Sequence, residues 1–429
     1  MGLSEDLLQF IWKHRLFTQQ NLQTLSGKKL YINKTGHQNT HSGPDFIAAY
    51  LSIDNIDWVG NVEVHISSSQ WKIHKHQDDK GYNNVILHVV YDYDMEARRE
   101  DGTVPETLAL KPLIEENVIS KYKEIMNNMH WIPCERVIGE VDSFYINHWL
   151  SGILVERLVQ KSENVFHLLD QYHGNWEEVC YIIAARSFGF KTNSEAFEML
   201  ARSLPQALIA KNKNNQLAIE ALLFGQSGLL NDQDNKGEYP ALLRKEYEYL
   251  KKLYSLKEMD KHLWKFLRMR PAGFPSIRIA QFAALCYSSS HLFSKIIQTE
   301  DLSLHSNWLS KLPVNEYWKT HYHFKSETEK PHGTQLGKQA INSVLLNTVA
   351  VMLFAHGQFI GNETYIQRAI KLLESMASEQ NSIVRRFGEL GVKSENAAHS
   401  QALIHLKTIY CEPKRCLDCE VGLQIIKNR

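Results

Sequence analysis

Cysteine is scarce, net charge is absent, and no apolar run is long and clean enough to read as a membrane span. Six cysteines in 429 residues cannot staple a chain of this size. A secreted disulfide scaffold is therefore excluded and a reducing compartment is expected. Lys plus Arg and Asp plus Glu stand at 48 each, which leaves no global field to attract nucleic acid or an anionic membrane. The first 140 residues are mildly acidic. The opening MGLSEDLLQFIWKHRLF reads as an amphipathic helix and lacks the basic head and cleavage site of a signal peptide. Gly2 begins a myristoylation-like pattern, but Asp6 occupies the position that needs Ser or Thr. The best candidate span, Ile341–Gly357, contains Asn342 and Asn347 and reads as a buried helix. A cytoplasmic protein without a membrane partner is expected. Also missing are the phosphate loop GxxxxGK[ST], the GxGxxG nucleotide fingerprint and the Gly-x-Ser-x-Gly elbow, which argues against an ATPase, a nicotinamide-dependent dehydrogenase or a serine hydrolase of that type. No fixed-period repeat occurs.

What is present is enough apolar material for compact cores, with 43% hydrophobic residues and nine Trp. Residues 28–100 carry strand signals: KKLYINKTG, FIAAYLSI, WVGNVEVHI and NVILHVVYDYD, separated by polar breaks. From about Val141 onward the apolar residues recur at three- and four-residue steps, the period of helices. The stretch SFGFKTNSEAFEMLARSLP reads as helix, glycine stop, cap and second helix. The expected fold class is α+β. A mixed β-sheet domain over 1–140 precedes a larger all-helical domain over 141–405, which contains a loop at 225–240, and a cysteine-containing tail over 406–429.

Strand alternation in NVEVH puts Asn61, Glu63 and His65 on one face and Val62 and Val64 on the other. Asp45 follows a Gly-Pro pair at the entrance to the preceding strand. If the two strands are neighbours, the carboxylates of Asp45 and Glu63 approach each other. Such an oxygen pair suits Mg²⁺ or Mn²⁺, and His65 shifts the preference toward Mn²⁺ or Zn²⁺. His74 and His76 flank Lys75 in HKHQDD, and an extended loop would point both rings the same way. His88, inside VILHVVY, reads equally well as a satisfied core residue.

GPDF followed by GNVEVH, SSQW, HKH and NVILHVVY resembles an uncharacterised bacterial family found mainly in Bacteroidetes. ERLVQKS, FGFKTNSEAFEMLARSLP and MRPAGFPSIRIAQFA extend that resemblance over essentially the whole chain. It implies no established activity. Pro44-Asp45 with Glu63-Val64-His65 also resembles the split acid motif of the restriction-endonuclease-like nuclease superfamily. That resemblance implies a small mixed sheet with Asp45 and Glu63 as metal ligands on adjacent strands. His65 stands where that superfamily places a lysine. A neutral imidazole can accept a proton there but supplies no fixed positive charge, which Lys72 or Lys75 would have to replace. A β-rich metal-binding barrel is the competing fold.

Two further segments carry chemistry. KHLWKFLRMRPAGFPSIRIAQFA holds Lys265, Arg268, Arg270 and Arg278 without an acid and interleaves aromatics, a pattern that suits single-stranded DNA or RNA. The plainer account has Trp264, Leu267 and Phe274 packing a helix junction while the charges face water. At the C-terminus, Cys411, Cys416 and Cys419 form C-x₄-C-x₂-C, with His405 or Cys134 as a fourth ligand. Zinc fits that spacing better than an iron–sulfur cluster.

The leading functional expectation is a divergent metal-dependent phosphodiesterase or nuclease, with Glu63, His65 and Lys72 catalytic and Asp45, Glu63, His74 and His76 at the metal. The alternatives are a non-enzymatic binding or scaffold protein and a metal-dependent hydrolase of a small molecule.

Overall fold

The computed structural model describes residues 3–231 and 237–427. Gly2 and the middle of the 225–240 loop lie outside them. The chain divides into two compact units. The first runs through residue 150 and includes Asn381–Lys393 and the chain from Leu403 on; the second comprises Ser151–Gln380 and Ser394–Ala402. An N-terminal mixed β-sheet region is thus followed by a larger, predominantly helical one, as the sequence pattern implies.

In the first unit, helix α1 (Glu5–His14) starts because the Ser4 hydroxyl accepts the Leu7 N–H and two acids favour the positive end of the helix. It stops where Arg15 turns left-handed at φ 53°. Leu7, Leu8, Phe10, Ile11 and Trp12 are buried, while Gln9 sits between them and reaches the sheet. The strands are β1 (Leu30–Lys34), β2 (His37–Gln38), β3 (Phe46–Ile53), β4 (Ile56–Ser67), β5 (Val85–Asp92) and β6 (Glu106–Ala109). They form one sheet in the order β1-β3-β4-β5-β6, with β2 pairing β3 off that path.

β3 and β4 form a hairpin closed by Asp54 and Asn55, both at positive φ, the conformation that a two-residue primed turn requires. A bulge at Ala48 (φ 56°) shifts the register between Phe46 and Ala49, so that Phe46 faces Val62. β4, β5 and β6 then run parallel. A parallel return needs a crossover. Helix α2 (Gln70–Ile73) and two short turns supply it, and these carry the histidines between β4 and β5. β5 is buried over its first six residues, as a central strand should be.

The second unit is built from helices that follow the three- and four-residue period. The expected helix, glycine stop and second helix at SFGFKTNSEAF form, with Phe188 ending one helix, Gly189 capping it and Phe190–Ser203 forming the next, but the expected cap does not: Asn193 sits at a kink and bonds the Lys265 backbone instead. One helix, Lys338–Ile360, is long and apolar enough to cross a membrane by length and composition, but 67% of its apolar window is buried inside the structure. Core packing accounts for its hydrophobicity.

Candidate metal centre

The β4–β5 register places Glu63 opposite His88 and leaves His65 one pleat further along the same face. Asp45 lies one residue before β3, at the point where that strand joins β4. Each acid grips the other's strand: Glu63 Oε2 accepts the Asp45 N–H at 3.1 Å, and Asp45 Oδ2 accepts the Val64 N–H at 2.9 Å. Gln9 of α1 donates to the remaining Asp45 oxygen at 2.9 Å. Each carboxylate is thus tied to the backbone of the other's strand, and Asp45 spends both oxygens on internal donors.

The segment after β4 is held by its serines rather than armed by them. Asp94 accepts from the Ser68 hydroxyl and from the Ser69 N–H and hydroxyl. This fixes the start of α2. His74 caps that helix, Lys75 turns left-handed at φ 63°, and His76 opens the next turn. The extended loop expected for HKH does not form; a helix end and a reversal bring the rings together instead.

His65, His74 and His76 each offer a ligand atom within 4.8 Å of the others. Among the described residues no other set of three or more His, Cys, Asp or Glu converges in this way. His65 Nε2 lies 3.2 Å from His74 Nδ1 and 3.4 Å from Glu63 Oε1. His76 Nε2 is 3.1 Å from the same Glu63 oxygen, without the alignment of a hydrogen bond. His65 is fully buried and His76 nearly so, while His74 is exposed at the opening. The cluster can coordinate a metal ion. Its donors are chiefly nitrogen, so it differs from the oxygen pair expected for Mg²⁺ or Mn²⁺ at Asp45 and Glu63.

His88 was set aside by sequence reasoning, yet it supports the cluster. Its Nε2 lies 2.9 Å from His65 Nδ1. With that nitrogen engaged, Nε2 of His65 is the one directed to an ion, the arrangement by which metal-bound histidines are oriented. Burial, and then the neighbouring His65, push the His88 imidazole down to about 3, so it stays neutral and able to accept. Trp71 and Tyr82 wall the site; Tyr82 stacks on His76 at 3.8 Å between ring centroids. Burial and the adjacent Glu63 charge push the Asp45 carboxyl up. Burial acts the same way on Glu63, but the His65 and His76 rings outweigh it and hold that carboxyl down.

The other expected residues lie elsewhere. Lys72 is exposed on α2. Lys265, Arg268 and Arg270 are exposed in the second unit, and the Lys265 backbone N–H is clamped by Asn193 at 2.8 Å. Trp264 is buried and donates to the Ser227 carbonyl, so it serves packing, whereas Leu267 points to solvent. Arg278 lies over the Phe190 ring at 4.6 Å and donates to Gln281. Cys411, Cys416 and Cys419 belong to the first unit and come near enough to Cys134 for their charges to interact. Their sulfurs do not converge as the histidines do. Burial pushes the Cys416 thiol up to about 12. His405 is buried.

The profile of a family described as a protein of unknown function (DUF2851) matches residues 5–382. The chain belongs to the DUF2851 family. Its matched region contains every residue of the histidine cluster and stops short of the three C-terminal cysteines. No curated protein and no solved structure matches this DUF2851 chain.

Proposed function

We propose that this protein is a metal-dependent phosphodiesterase acting on nucleic acid, with its ion held by His65, His74 and His76. The observation that carries the reading is the convergence of these three imidazoles beside Glu63. Three imidazole nitrogens with a carboxylate beside them are a donor set that would suit Zn²⁺ or Mn²⁺ over Mg²⁺. A bound ion supplies a more acidic water and neutralises charge on a phosphate oxygen. Glu63, whose Oε1 lies beside His65 and His76, would be the group placed to accept a proton from water at the site. Asp45 and Gln9 position Glu63 and β4. The exposed Lys72 sits on the helix leading to His74, where a phosphate approaching the opening meets its charge. The placement of Asp45 at the entrance to β3 and of Glu63 on the adjacent β4 of a mixed sheet supports the nuclease resemblance.

A non-enzymatic role is the second reading. It is favoured by the saturation of Asp45 and the burial of all but His74. Elemental analysis and Zn²⁺ and Mn²⁺ titrations of wild type, His65→Ala and His76→Ala test the site. Cleavage of DNA and RNA over a range of salt tests the reaction, because phosphate contacts weaken steeply with salt. Binding confined to the wild type together with metal-dependent cleavage supports the proposal. Binding without cleavage of any nucleic acid favours the second reading, and no binding above the variants removes the site. The same analysis on Cys416→Ser with Cys419→Ser tests zinc at the tail.

A further inference from the structure

The second unit contains a cavity of about 450 Å³, within the size range of small-molecule sites. Lys161, Arg186 and Lys191 line it together with Asn164, Ser343 and Asn347, and no carboxylate lines it. Arg186 and Lys191 are exposed at the mouth, where Arg186 also pairs with the Glu198 carboxylate, whereas Lys161 lies deeper. The Lys161 ammonium donates to Asn347 Oδ1 at 2.9 Å and to Gln401 Oε1 at 3.4 Å, both neutral acceptors. Of the charged groups around it, Arg157 shares Gln401 as its acceptor and Glu379 accepts from the Gln401 amide, so the acid reaches the lysine only through that amide. A cation placed this way without a contacting anion is costly unless a ligand supplies the charge.

Two backbone irregularities fall on the same cavity. The helix carrying Asn347 widens to π geometry over Leu345–Val349, a feature concentrated at functional sites. Ser187, another lining residue, is tied to that turn by a 2.8 Å hydroxyl contact with Thr348. Phe190, also lining the cavity, adopts φ 50°, a left-handed conformation unfavourable for a bulky residue. Its ring is buttressed by Arg278. Irregularities that persist at this cost mark places where the surrounding structure holds a shape for use.

We infer that this cavity binds a small organic phosphate, its phosphate taken by Arg186 and Lys191 at the mouth and its apolar or ring portion set inward against Phe190 and Val351, within reach of Lys161. Lys161, Lys191 and the Glu198-paired Arg186, with serine and asparagine donors, suit an anion that keeps several acceptor oxygens. The site lies in the second unit and does not depend on the histidine centre.

Pyridoxal 5′-phosphate, an anionic aldehyde, is the probe for the test. At neutral pH the Lys161 amine condenses with its aldehyde, releasing water, and borohydride then delivers hydride to the imine carbon to leave a stable secondary amine. Peptide mass spectrometry of the full-length protein is expected to find Lys161 as the dominant modified lysine. AMP and pyrophosphate are expected to protect it and adenosine is not. Lys161→Arg is expected to abolish labelling while AMP binding persists. Arg186→Gln and Lys191→Gln, both at exposed positions, are each expected to weaken protection by AMP about tenfold. Labelling spread evenly over surface lysines, equal protection by adenosine, or protection by citrate but not by AMP or pyrophosphate overturns the assignment.

Discussion

Replacing Lys161 by Met should stabilise the protein near neutral pH, and the gain should fade as pH rises. Burial, reinforced by Arg157 and opposed by Glu379, pulls this amine from an ordinary 10.5 down to about 7. At about 1.4 kcal/mol per pH unit, that displacement is worth on the order of 5 kcal/mol of native-state penalty in the charged form. The deep position of the amine justifies using most of this figure. Met retains most of the side-chain volume but leaves Asn347 and Gln401 without their donor, a loss of about 1–3 kcal/mol. The net expectation at pH 7 is a gain of about 2 kcal/mol.

The sign follows from proton counting. Above about 10.5 the amine is neutral in both states and no penalty exists. As pH falls from there to about 7, the unfolded chain takes up the proton first and the folded wild type loses stability. Below about 7 the difference is constant. Calorimetric melting of wild type and Lys161→Met from pH 6 to 10, each pair compared at the same pH, reads this directly. A variant advantage that does not change with pH would refute the buried-cation argument, as would a strongly destabilised variant at pH 7.

Three other predictions concern the rest of the molecule. His65→Ala and His76→Ala should each lower Zn²⁺ affinity by at least about tenfold, while His88→Ala, which removes only the orienting partner, should cost about 10–100-fold with the ligand count intact; titration calorimetry separates these. Gly225→Ala should destabilise by about 1–3 kcal/mol, because the new methyl would come within 2.1 Å of the buried Tyr247 ring; Tyr247→Leu in the same chain should recover part of the loss in thermal melts. If single-stranded nucleic acid contacts the basic segment, Lys265→Gln and Arg270→Gln should each reduce the log–log salt slope of binding by about 0.7; an unchanged slope excludes those side chains from the contact.

The local pattern carried much of the fold. FIAAYLSI is β3 residue for residue, and the buried run of β5 was visible as a Val, Ile and Leu stretch. Alternation also put Glu63 and His65 on one face correctly, because that period is a property of any strand. What it could not give was the parallel pairing of β4 with β5, which sets His88 beside His65, since register between strands joined by a crossover has no local signature. Gln9 reaches Asp45 from 36 residues away, and Lys161 meets Asn347 across 186, so both contacts were invisible for the same reason. HKH was read as extended because nothing in its composition announces a left-handed lysine. The basic segment misled in part: Trp264 was the packing residue foreseen, but Leu267 was not.

The first unit is discontinuous along the chain, and this affects the order in which a ribosome can deliver a finished molecule. Cys134 and the turn around Asn128 emerge early, yet Lys414, which donates to the Met126 and Asn128 carbonyls, is made nearly 300 residues later. Trp131 likewise waits for Phe387. The second unit, apart from Ser394–Ala402, is complete by then. During synthesis the sheet bearing the histidine cluster therefore exists for a time without its closing segments. A chain stalled before residue 400 would carry every histidine of the cluster on a unit that is not yet closed, so premature termination would leave apolar surface of that unit exposed.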